Sequence, residues 1–122
     1  MKGKILIIDD EKDLCELIRQ TLVKENYEVQ CAYDLKDAGQ KLAAHPQIVL
    51  LDNNLPDGSG LDFLRMHPVE FFNCTVIMMT ADSTPNIKLS ARIEGVAEFI
   101  EKPFSVRYIK DVLNRKTMEA NN

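Results

Sequence analysis

The chain has 122 residues, 45% of them hydrophobic and 28% charged, which suits one globular domain with a single core and excludes a disordered chain. Its formal net charge of −4 argues against a nucleic-acid-binding domain, which carries a basic stripe. No apolar run approaches the roughly 18 residues of a membrane span, and the N-terminus lacks a small-residue cleavage site, so a cytoplasmic protein is expected.

"KILII" (4–8) is a strand-like apolar run that ends at Asp9. After "DDEKD", apolar residues recur at Leu14, Leu17, Ile18 and Leu22, the spacing of a helix, with Asp13 as expected cap and Glu16 three residues on. "YEVQCAY" (27–33) alternates and suits a strand at the side of a sheet. "DLKDAGQKLAAH" (34–45) reads as a second helix, with Leu35, Ala38 and Leu42 inward and Pro46 beyond its end. "IVLL" (48–51) is the third strand, and "GLDFLRM" (60–66) a short helix stopped near Pro68. "TVIMM" (75–79) is the fourth strand. Residues 84–94 read as a helix with Pro85 in the first turn and Gly95 after the end. "AEFIE" (97–101) is the fifth strand, and "SVRYIKDVLNRK" (105–116) a last helix with Ser105 as N-cap. The tail 117–122 is expected to fray.

Strands and helices thus alternate five times across one domain, 1–122. Three strands are continuously apolar, as strands buried on both faces are. The pattern implies a doubly wound α/β fold, a parallel sheet with helices on both sides. Cys15, Cys31 and Cys74 are widely spaced with no C-x-x-C pair, so they are read as reduced, mostly buried thiols. His45 and His67 stand beside prolines and are read as surface residues.

Four of the five strands end in polar residues: Asp9–Asp10, Asp52, Thr80 and Lys102. In a parallel sheet all C-terminal ends lie on one edge, where ligands bind at the switch point of strand order. Taken singly, an Asp after a strand is usually only a turn or cap residue. A Lys at a strand end caps nothing, so the joint pattern needs another explanation. Three carboxylates within ~4 Å repel by about 1–4 kcal/mol per pair, so the cluster calls for a divalent cation. Oxygen ligands without His or Cys favour Mg²⁺ or Mn²⁺ over zinc. A hydroxyl at Thr80 and an ammonium at Lys102 suit phosphoryl oxygens, and a carboxylate can accept the phosphoryl group itself.

These motifs, "ILIIDDE", "LLDNNLPDGSG", "VIMMTA" and "FIEKPF", span nearly the whole chain. They resemble the receiver domain of two-component response regulators, a superfamily that includes the chemotaxis regulators. The resemblance implies a flavodoxin-like five-stranded parallel sheet in order 2-1-3-4-5 with five flanking helices. It implies Asp52 as phosphoacceptor, with Asp9, Asp10, Asp52 and the backbone carbonyl of Asn54 serving Mg²⁺. Thr80 and Lys102 take the catalytic positions, and Thr80 with Phe99 the switch positions. Phe99 replaces the more usual Tyr and has no hydroxyl. Asn54 and Asp82 occupy positions that tune dephosphorylation. The implied partner is a sensor histidine kinase or phosphotransfer protein. The implied output is the 84–113 face, with Lys88, Arg92, Arg107, Tyr108 and Lys110 expected exposed and a homodimer as one use of it. The domain is then a phosphoacceptor rather than an enzyme.

Rival readings fit the residues less well. An Asp-nucleophile phosphatase needs a second Asp where Asn54 stands, and an FMN phosphate would be repelled by "DDEKD". A calcium loop in "DNNLPDG" fails at Pro56, Gly58 and Phe63. A degenerate receiver that only binds proteins would not keep every site position filled.

Overall fold

The computed structural model describes residues 2–71 and 73–120. Five strands form the main sheet: β1 (Gly3–Ile8), β2 (Tyr27–Ala32), β3 (Ile48–Asp52), β4 (Thr75–Thr80) and β5 (Glu98–Glu101). All neighbouring pairs are parallel and the order is β2-β1-β3-β4-β5, as the family resemblance implied. A two-residue ladder, Asn54–Leu55 with Gly58–Ser59, closes the loop after β3.

Strand alternation sorts the core into two layers. Ile5 and Ile7 of β1 face one side, with Leu50, Ile77, Met79 and Ile100. Helices α1 (Lys12–Lys24) and α6 (Val106–Ala120) cover that side through Cys15, Ile18, Leu22, Ile109, Val112 and Leu113. Leu6 and Ile8 face the other side with Val49, Leu51, Val76 and Met78. There α2 (Leu35–Lys41), α3 (Gly60–Met66) and α5 (Pro85–Ile93) supply Ala38, Leu61, Phe63, Leu64 and Ala91. The three apolar runs of the sequence are the three central strands, buried on both faces. The alternating run became β2, on the edge.

Several local expectations need correction. Six α-helices are present among the described residues, not five. Pro68 lacks an N–H and so ends α3, and it opens the single turn α4 (Pro68–Phe71) from the first helical position. Asp13 does not cap α1. The helix starts at Lys12 with Glu11 at the cap position, so Asp13 sits in the first turn, where it complements the helix dipole. Glu16 pairs instead with Arg19, and Leu17 faces solvent because it lies off the Cys15–Ile18–Leu22 stripe. The last helix runs past 116 to Ala120, because nothing in "KTMEA" breaks a helix; of the expected tail, 121–122 lie outside the described residues. Of the thiols only Cys15 is fully buried; all three are free. His45 is exposed, but His67 is half-buried with its ring 4.5 Å from that of Phe63. The expected cap Ser105 accepts the Tyr108 N–H and the expected first-turn Pro85 opens α5, where Thr84 is the cap.

Candidate functional site

Backbone register brings the singled-out polar residues to one edge. Asp9 directly follows β1, and its N–H still donates to the Ala32 carbonyl of β2 (3.0 Å). Asp52 and Thr80 are the last residues of β3 and β4. Lys102 follows β5, its N–H bonded to the Thr80 carbonyl (2.9 Å). Asp9, Asp52 and Thr80 are buried, and Asp10 is exposed.

One oxygen each from Asp9, Asp10 and Asp52 lies within 4.8 Å of the others. Lys102 bridges two of the three carboxylates, donating to Asp9 Oδ2 (2.7 Å) and Asp52 Oδ2 (3.1 Å). It also reaches Glu11 Oε2 at 3.3 Å. Burial pushes the Asp9 carboxyl above its ordinary value, although bonds from Lys102 and the Glu11 N–H work against this. Burial opposes the charge on Lys102 too, but its bonds to Asp9 and Asp52 outweigh that and hold it above the usual lysine value. One ammonium therefore offsets only part of the negative charge, and the remaining oxygens can hold a hard cation.

The loop after β3 is tightly specified. Asp52 Oδ1 accepts the Asn54 N–H (3.1 Å). The buried Asn53 holds the start of α3, its carbonyl accepting from Gly60 (2.9 Å) and its Oδ1 from Leu61 (3.0 Å). Gly60 comes so close that a Cβ there would lie 2.5 Å from the Asp52 carbonyl oxygen. Farther out, the Asp57 carboxylate accepts the Leu35 and Lys36 N–H groups (2.8 and 3.1 Å), while Asp34 takes that of Asp37 (2.8 Å). Three otherwise unpaired donors at the start of α2 are satisfied this way.

Thr80 Oγ1 accepts two hydrogen bonds, from Asn54 Nδ2 (3.3 Å) and the Asp82 N–H (3.1 Å). The Asp82 side chain itself is exposed. Phe99 does not join the cluster. It lies on β5, paired in register with Met78, one strand over and two residues behind Thr80. On the outer face Arg92, Arg107 and Tyr108 are exposed as expected; Lys88 and Lys110 are half-buried, because each is ion-paired, with Glu101 and Glu25.

The residue reading overlooked Glu11, Asn53 and Asp57. Glu11 was visible as a third acid after Asp9–Asp10. Asn53 and Asp57 act through backbone groups 8 and 22 positions away, which residue type alone does not disclose.

The model of the response regulator receiver domain matches residues 5–114. The non-phosphorylated HemR receiver domain from Leptospira biflexa superposes with a TM-score of 0.87 at 29% identity, covering 93% of each chain. The signal receiver domain of a putative Luxo repressor protein from Vibrio parahaemolyticus gives 0.89 at 26%, covering 99% of this chain and 94% of the other. A CheY-like receiver domain from Methanospirillum hungatei JF-1 gives 0.88 at 26%, covering 95% and 94%. An acidic cluster bridged by lysine at the switch point of this sheet, and a family match over nearly all of the chain, make it a member of the response regulator receiver domains.

Proposed function

We propose that this domain accepts a phosphoryl group on Asp52 from a phosphohistidine of a sensor kinase or phosphotransfer protein. One observation carries the reading: a buried carboxylate at a strand end, ringed by Asp9, Asp10 and Lys102. In the transfer an Asp52 oxygen forms a bond to phosphorus as the phosphorus–nitrogen bond to the donor imidazole breaks. The imidazole keeps the bonding electron pair. Lys102, already on Asp52 Oδ2, follows the charge onto a phosphoryl oxygen.

Mg²⁺ fits the donor set, which is all oxygen with neither His nor Cys. Asp9, Asp10, Asp52 and the Asn54 backbone carbonyl would hold it, and when bound it supplies positive charge for the phosphoryl oxygens. The protein acts as its own substrate and not as an enzyme on others. Asn54 and Asp82, whose Nδ2 and N–H both donate to Thr80 Oγ1, tune hydrolysis in this reading, the exposed Asp82 carboxylate by orienting a water.

The added charge, about −1.5 to −2, draws the Thr80 hydroxyl away from Asn54 and Asp82 and toward the phosphoryl group. Phe99 moves into the space behind it. This shifts an existing equilibrium and repacks the face of α5, β5 and α6, which serves a partner or a second copy of the chain. The test is intact-mass spectrometry after incubation with acetyl phosphate and Mg²⁺. Wild type should gain one phosphoryl group and Asp52→Asn none. An equal adduct in the variant overturns the assignment.

A further inference from the structure

Phe99 has no hydroxyl, so no hydrogen bond of its own can hold its ring in one rotamer. Strand alternation puts Phe99 and Glu101 of β5 on the same face as Met78 and Thr80 of β4, their register partners. The ring is half-buried, packed on the layer that holds Met78 and Ala91. It lies between two clefts. One runs under α5, past Lys88, Ala91, Arg92 and Val96. The other opens toward α6, past Glu101, Pro103, Phe104 and Tyr108. The ring therefore has room on either side, and something else must decide where it rests.

Lys88 of α5 occupies the deciding position. Its ammonium lies 5.7 Å over the centroid of the Phe99 ring, within cation–π range. The same ammonium donates to Glu101 Oε1 at 2.6 Å. Glu101 is register partner to Thr80 and chain neighbour to Lys102. One side chain thus ties α5 to β5 across the ring.

We infer that Lys88, steered by Glu101, is a latch that holds Phe99 in its resting rotamer and so sets how readily the domain switches. This rests on the switch reading of Thr80 and Phe99 given above. An ion pair and a cation–π contact that solvent still reaches are each weak. Together they shift a two-state equilibrium by about three- to tenfold, and apparent affinity for any ligand of the switched state scales with that population.

The test uses beryllofluoride with Mg²⁺ as phosphoryl mimic on the intact chain, following the aromatic NMR signals of Phe99 and the mimic's apparent affinity. Lys88→Met keeps the side-chain length and removes the charge. Glu101→Gln keeps the Lys88 charge and removes its tether. In Lys88→Met the Phe99 signals of the free protein should move toward their mimic-bound positions. The mimic should bind about three- to tenfold tighter, with Mg²⁺ affinity alone unchanged. Glu101→Gln should move both in the same direction by less, and the double variant should not exceed Lys88→Met. If the mimic leaves the Phe99 signals of wild type in place, the switch reading fails and the latch with it. If it moves them in wild type while Lys88→Met starts from the same shifts and binds no tighter, the latch alone is wrong.

Discussion

Gly60→Ala sets two effects against each other. Alanine favours a helix over glycine by about 1 kcal/mol in an interior position, and less at Gly60, the first residue of α3. Against this, the new methyl group would lie 2.5 Å from the Asp52 carbonyl oxygen, 3.0 Å from Leu51 Cγ and 3.2 Å from Asn53 Cα. Two of those neighbours are backbone, so no side-chain rotamer relieves the contact, and α3 must move off the end of β3. Overpacking of this kind costs about 1–3 kcal/mol. With an unfolding entropy of roughly 0.26 kcal/mol/K for a chain of this length, the melting temperature should fall by about 4–12 °C. Moving α3 also disturbs Asn53 and Asn54, so phosphoryl uptake from acetyl phosphate should slow. Differential scanning calorimetry and intact-mass kinetics measure both. A melting temperature equal to or above that of wild type would show that helix propensity wins and that the close approach is not a constraint.

Lys102→Met should bind Mg²⁺ several-fold more tightly by amide-shift titration, since the competing ammonium has left Asp9 and Asp52, yet accept phosphoryl far more slowly; unchanged metal affinity would mean Lys102 does not compete there. Asp57→Ala should lower stability at neutral pH by uncapping α2. Bonds from Leu35 and Lys36 hold the Asp57 carboxyl below its ordinary 3.8, so its contribution is present above that pH and is lost as pH falls through the folded value. The melting-temperature gap between wild type and variant should therefore close in acid, and a gap that persists there contradicts the capping role. Asp82→Leu should prolong the aspartyl phosphate, followed by loss of the mass adduct; decay as fast as wild type removes Asp82 from the hydrolysis step.

Period and strand-end chemistry made the alternating elements and the shared polar edge legible; the strand order and the roles of the edge residues rested on the family resemblance. "IVLLD" and "TVIMMT" are short, continuously apolar and bounded by turn residues, as central strands are, and their polar last residues share an edge once the strands run parallel. Connections that depend on side-chain reach stayed hidden. Nothing in residue type says that Asn54 would donate to Thr80, or that Asp57 would cap a helix 22 positions upstream. The cap of α1 was misplaced because Asp13 and Glu16 fit the capping-box spacing as well as Glu11 fits the backbone. Leu17 fits the helical spacing yet faces solvent, because a one-dimensional pattern does not rank neighbouring apolar residues on a helix whose buried stripe is Cys15, Ile18 and Leu22.

The bridge made by Lys102 spans 93 positions to Asp9 and 50 to Asp52. Because a chain is made from its N-terminus and domains fold as units, the acids emerge from the ribosome well before the ammonium that steadies them. A chain whose last strand has come loose while β1 and β3 stay paired would hold a mutually repelling acid cluster without its ammonium. On the proposed function, competence to receive a phosphoryl group is tied to a docked last strand. A phosphoryl group once in place should in turn slow amide exchange across β5 and α6 by clamping the last strand to the first.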